Sequence, residues 1–247
     1  MTLNEQVTVI EFFGMPGAGK TYMYGRLVDY LSNRGWKLGV ETGQARFGRA
    51  GRALGKVLLA IKELLRCGGA APTAWRIIRQ HGLVSMGRGL RVTINLLQVR
   101  GSLRRQSQTA RVLCRDQGIA QALWSACWIG SGIGQGKQLG WDDLRGDLPY
   151  HFVILCVDVD PELAALRTKQ RRKTANPLDG PAQNKKCFIR ALDLTGQVRS
   201  TIADAAIADS RIRLLTVRTT GPALADDVLS ELGHRVECVL LEHATAR

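Results

Sequence analysis

The chain has 247 residues and a formal charge of +14, from 35 Lys and Arg against 21 Asp and Glu. Its 45% hydrophobic and 23% charged residues are an ordinary globular balance, which excludes a disordered or fibrous chain. No apolar run approaches the roughly 20 residues of a membrane span, the first residues lack the basic start and apolar stretch of a secretory signal, and six cysteines without a C-x-x-C pair suggest neither zinc nor a disulfide framework. The expectation is a single cytoplasmic domain over 1–247.

Val7–Phe13 reads as a buried first strand, rich in β-branched and aromatic residues. A glycine-rich turn follows, then a helix from about Lys20 to Asn33 with Tyr22, Leu27, Tyr30 and Leu31 at helical spacing, ended by Gly35. Trp36–Val40 is a short second strand. From Gln44 to Arg111 the alternation breaks: 14 basic residues face one acid, Glu63, so this stretch alone carries +13. Within it Leu54–Leu65 is amphipathic and helical, Thr73–His81 reads as helix again, and Leu90–Val99 as a helix or an apolar packing segment. Arg46, Arg49 and Arg52 fall near one helical face.

Arg111–Arg115 reads as the third strand and Ile119–Trp128 as a helix with Leu123, Trp124 and Trp128 on its apolar side. Gly130–Gly140, with five glycines in eleven residues, is a loop. His151–Val157 is the fourth strand, Glu162–Arg172 a helix, Lys173–Asn184 an irregular loop, and Lys185–Ala208 a long helix. Ile212–Val217 is the fifth strand, Ala223–Leu232 a last helix, and Val236–Leu241 an added edge strand. Strands alternating with helices argue an α/β fold with a parallel sheet.

The chemistry-bearing motif is Gly14-Met15-Pro16-Gly17-Ala18-Gly19-Lys20-Thr21, a full match to G-x-x-x-x-G-K-[ST]. Its glycines let successive backbone N–H groups point inward as an anion nest. The helix beginning at Lys20 adds its positive dipole end. Lys20 is suited to the β- and γ-phosphates and the Thr21 hydroxyl to Mg²⁺. The strand before and the helix after are the context this motif needs. None of the four histidines has a partner at metal-ligand spacing.

Four further features join this loop in one pattern: the strand ending at Glu41, the strand ending at Asp116, the run Asp158-Val159-Asp160-Pro161-Glu162 followed by Arg167, Arg171 and Arg172, and the strand running into Thr219-Thr220-Gly221. Over about residues 7–43 and 110–233 the chain resembles the thymidylate kinase and deoxynucleoside kinase group of P-loop phosphotransferases. The resemblance implies a five-stranded parallel sheet, helices on both faces, strand order 2-3-1-4-5, and a basic helical insertion over 44–109 on the acceptor side. It implies that Glu41 is the base taking the acceptor hydroxyl proton, that Asp116 helps Thr21 hold Mg²⁺, and that Arg167, Arg171 and Arg172, with Lys173, are arginine-rich lid residues in a lid over 167–184. Asp116 could equally cap the Ile119 helix. The group's arginine after this acid is missing, because Gln117-Gly118 follow Asp116. Arg115 precedes it and should point to the opposite face of the strand.

The resulting expectation is an enzyme moving the γ-phosphoryl of MgATP to a small, anionic acceptor, nucleoside-, nucleotide- or sugar-like. The alternative is a P-loop NTPase working as a binding or regulatory module on nucleic acid or protein. Nucleic acid is the less favoured partner. Peripheral contact with an anionic membrane surface and a homodimer both stay open.

Overall fold

A computed structural model of the chain describes residues 6–40, 49–66, 86–129, 140–170, 185–219 and 226–245. In chain order these form β1 (Thr8–Phe13), α1 (Lys20–Asn33), β2 (Leu38–Val40), α2 (Arg49–Arg66), α3 (Met86–Gln106), β3 (Val112–Arg115), α4 (Ile119–Ile129), α5 (Trp141–Arg145), β4 (His151–Val159), α6 (Pro161–Gln170), α7 (Lys185–Ala208), β5 (Ile212–Thr219) and α8 (Asp226–Thr245). The predicted Thr73–His81 helix lies outside the described residues.

The five strands form one sheet in the order β2-β3-β1-β4-β5, every pair parallel. This is the expected fold class and strand order. A parallel sheet needs a crossover between neighbours, and those crossovers cover both faces. β1 therefore has no polar face: all six of its residues are buried. Val9 and Phe13 enter a core shared with Leu96 and Leu103 of α3, Leu123 and Trp124 of α4, and Val198 and Ile202 of α7. Ile10 and Phe12 enter a second core on the other face with Met23, Leu27 and Leu31 of α1, Ala164 of α6 and Val236 of α8. The period-2 alternation of the strand assigns each side chain to one of these two cores.

Two elements differ from the sequence reading. Val236–Leu241 is not an edge strand but the second half of α8. Leu229, Leu232, Val236, Val239 and Leu240 are all buried at helical spacing, so a short apolar run that fits either period resolves as helix. α1 packs against it so tightly that a Cβ on Gly233 would lie 2.6 Å from the Tyr30 ring. The second is α5, hidden behind the glycine-rich stretch. It opens with the Gly140 N–H donating to Asp143 Oδ2 (3.0 Å), half of a capping box, and seats Trp141 edge-on against Phe152 at 5.4 Å.

The basic segment is helical where described, and two of its cations serve the fold. Arg100, 2% exposed, donates to the equally buried Glu63 (3.1 Å) and to Asp147 (2.6 Å). Arg104 reaches the same two carboxylates at 3.2 and 2.8 Å. Glu63, the only acid of the basic stretch, thus neutralises charge inside it and ties α2 to α3.

Candidate active site

β1 delivers the chain to the glycine-rich loop at the carboxyl end of the sheet. Gly17 (φ 87°) and Gly19 (φ 93°) take left-handed backbone conformations that a side chain disfavours. A Cβ on Gly17 would also collide with the Ala164 carbonyl and sit 2.7 Å from Thr168 Oγ1, so the loop is pressed directly onto α6. α1 begins without a side-chain cap and without an acid in its first turn. Its first N–H groups are left for an anion, which the helix dipole favours. Lys20 is buried, and its Nζ donates to Gly14 O (2.6 Å) and Met15 O (3.0 Å), folding the ammonium back over the loop.

Thr21 Oγ1 donates to Asp116 Oδ2 at 2.8 Å, across 95 residues of sequence. Asp116 Oδ1 is buried and has no hydrogen-bond partner among the described residues. A hydroxyl and a carboxylate with an unused oxygen, beside an anion nest, form a donor set that suits Mg²⁺, which takes oxygen ligands and binds through one or two carboxylates plus phosphates.

Asp116 does not cap α4. That role falls to Glu11 of β1, whose carboxylate accepts the N–H groups of Ile119 (2.7 Å) and Ala120 (2.9 Å). Glu11 is completely buried, and burial pushes its carboxyl up to about 7, while the two N–H bonds and nearby Arg115 pull the other way. Gly118 is required here, because any Cβ would overlap the Glu11 carboxyl. Sequence reading missed this pair. The available signal was one acid inside an otherwise apolar strand.

Arg115 and Asp116 face opposite ways, as expected: Arg115 turns to α3 and Asp116 to Thr21 of α1, and both line one cavity of about 160 Å³ at the strand's end. Arg115 is fully buried and donates to Ser102 Oγ (2.9 Å) and Gln106 Oε1 (3.2 Å) of α3. Gln98, Gln121 and Ser125 line the same cavity.

Of the arginine group, Arg167 is described. It is half-buried on α6, and its Nη1 lies 3.6 Å from where a Cβ of Gly19 would be, so its guanidinium stands over the phosphate loop. Thr168 beside it has a buried hydroxyl without a hydrogen-bond partner among the described residues. Arg171, Arg172 and Lys173 lie outside the described residues, as does Glu41, one residue beyond the end of β2. The Asp-x-Asp-Pro-Glu run has a local role: Asp160 Oδ1 accepts the N–H groups of Glu162 (2.9 Å) and Leu163 (3.3 Å), with Pro161 at the first helical position.

No protein-family model matches the chain, and no curated protein sequence matches it. Among solved structures, the chain is similar to the deoxyadenosine kinase of M. mycoides determined with bound dCTP, at 9% identity and a TM-score of 0.48, over 93% of this chain and 99% of that one. A likeness at this level assigns no residue a role. No helix among the described residues is long and apolar enough to cross a membrane.

Proposed function

We propose that the chain is an ATP-dependent phosphotransferase acting on a small-molecule acceptor. The observation that supports this most is the Thr21–Asp116 hydrogen bond with its unused Asp116 oxygen, set at the uncapped start of α1. The backbone N–H groups of residues 14–21 cradle the phosphates of ATP. Lys20 exchanges its bonds to the Gly14 and Met15 carbonyls for phosphate oxygens. Thr21 and Asp116 would hold Mg²⁺, which when bound neutralises charge on the β- and γ-phosphates. Arg167 approaches the same loop from α6 and offsets the charge that builds on the transferred group. Glu41 takes the proton of the attacking hydroxyl, and Arg171 and Arg172 serve with Arg167 in offsetting charge on the transferred group. Phosphoryl transfer asks mainly for positioning and charge stabilisation, and these residues supply both.

The test is a screen of small-molecule acceptors with γ-labelled ATP, scoring transferred label against released phosphate. Mg²⁺-dependent transfer to an acceptor is expected, with Lys20→Ala folded but inactive. Equal turnover in Lys20→Ala refutes the phosphate-loop assignment. Hydrolysis without transfer to any acceptor favours the NTPase-module reading instead.

A further inference from the structure

The cavity beside Asp116 carries polar groups that the fold does not use. Gln98 of α3 is 5% exposed and Gln121 of α4 is 8% exposed, and Gln121 Oε1 is buried without a hydrogen-bond partner among the described residues. A buried amide without partners is costly unless a ligand or water completes it. That oxygen, with the buried Gln98 amide on the facing helix and the unused Asp116 Oδ1, lines one cavity as a ligand site with hydrogen bonds still to be made.

The lining also says what kind of ligand. The one cation among the described lining residues, Arg115, already donates to Ser102 and Gln106 and stands near Glu11. An anionic group placed here meets a guanidinium that is already engaged. A neutral group carrying both donors and acceptors meets two amides that offer both.

No aromatic side chain among the described residues lines the cavity. Trp124, on the same helix as Gln121, donates its indole N–H to Thr195 Oγ1 (3.0 Å) and stacks on Trp128 at 5.2 Å, away in the core. Nucleobase sites rely on aromatic stacking. The cavity of about 160 Å³ is also roughly half the lower bound of drug-sized ligand sites, about 300 Å³.

We infer that Gln98 and Gln121 bind a neutral polyhydroxyl acceptor, a free monosaccharide or alditol, with one hydroxyl presented toward Asp116 and the phosphate loop. In the reaction that hydroxyl oxygen forms a bond to the γ-phosphorus, the bond to the β,γ-bridging oxygen breaks, ADP leaves with that electron pair, and the hydroxyl proton passes to a base. This inference rests on the proposed transfer and narrows its acceptor from the anionic class that the chain's charge suggests. Two arginines of the basic stretch, Arg100 and Arg104, pair with Glu63 and Asp147 and so are not offered to an acceptor.

The experiment has two readouts on the full chain. The first offers γ-labelled ATP and Mg²⁺ with three separate acceptor sets: free pentoses, hexoses and alditols; their phosphate esters; and nucleosides. The second titrates the same compounds calorimetrically without ATP. Saturable labelling of a free sugar or alditol is expected. Gln98→Leu and Gln121→Leu should each raise its KM about three- to tenfold, as loss of one neutral hydrogen bond implies, with ATP affinity unchanged. Labelling confined to nucleosides or phosphate esters overturns the inference, as does an unchanged KM in folded Leu variants. If the variants do not fold, the wild-type acceptor sets alone decide. A sugar that binds but accepts no label would keep the site and refute the transfer. Absence of both binding and labelling refutes both.

Discussion

Glu11 and Gly118 are 107 positions apart yet act as one unit, and replacing Gly118 by Ala tests that directly. The new methyl group overlaps the Glu11 carboxyl, which is held by two backbone N–H groups. Displacing it strips the start of α4 of both bonds. Above pH 7, where Glu11 is ionised, hydrogen bonds to its charged carboxylate contribute about 1.5–3 kcal/mol each. A loss of about 3 kcal/mol follows at the low end, or roughly 6–12 °C in Tm for a chain of this size at about 2–4 °C per kcal/mol. Differential scanning calorimetry on Gly118→Ala, Glu11→Ala and the double variant reads the coupling. Glu11→Ala loses the same two bonds but opens the space the methyl group needs. The double variant should therefore be no less stable than Glu11→Ala alone, and the two effects should fail to add. Additive losses, or a Gly118→Ala variant within about 0.5 kcal/mol of the parent, would refute the argument that this glycine exists to admit the carboxylate.

Glu11 and His243 should give opposite pH dependences. Burial raises Glu11 from 4.5 to about 7, so its contribution to stability is full below the unfolded value and is lost as pH rises through about 7. Burial and the neighbouring His151, with Arg213, hold His243 down at about 4 against Glu242. Its contribution is present above 6.5 and lost as pH falls through about 4. Relative to the parent, Glu11→Gln should gain Tm from pH 4.5 to 7 and His243→Gln should lose it from pH 4 to 6.5, by calorimetry across that range; parallel curves would contradict both assignments. Asp116→Asn should raise the Mg²⁺ concentration needed for half-maximal turnover, because a neutral amide holds a hard cation poorly; an unchanged Mg²⁺ titration removes Asp116 from the metal. Arg167→Ala should lower kcat with little change in ATP affinity, since it acts on charge that develops during transfer; a rise in the KM for ATP at constant kcat would make it a binding residue instead.

The parts of this molecule that were legible in the sequence are those written in local patterns. The phosphate loop is eight consecutive residues, and Val7–Phe13 and His151–Val157 announce a parallel sheet by being mostly apolar without regular alternation. α8 misled because Val236–Leu241 is a short apolar run whose period is ambiguous until its burial against α1 is known. The capping of α4 was out of reach because Glu11 and Ile119 are joined only by the pairing of β1 with β3. The face of Arg115 was legible too, because strand alternation sets it on the α3 side and Asp116 on the α1 side. Gln98 carries no signal of its own within the stretch Leu90–Val99. Its meaning depends on Gln121, which comes to the same cavity from a different element. Glu41 and Arg171 lie outside the described residues and keep the standing the sequence gives them.

The helices of the basic stretch cannot be lifted out of the protein as a cassette. Val92, Leu96, Val99 and Leu103 of α3 are bricks in the same core as β1 and β4, and Arg100 fastens that wall to the turn ahead of β4 through Leu144 O (3.2 Å) and Asp147. The outward side of the same helix is under no such obligation. Evolution can therefore repaint that exterior, charge by charge, while the inner side stays fixed by the sheet it covers. Core packing and surface charge become separately adjustable properties of one helix, and a chimaera that exchanges 49–106 for another sequence inherits a working sheet only if it also brings the apolar wall that Val92, Leu96, Val99 and Leu103 supply.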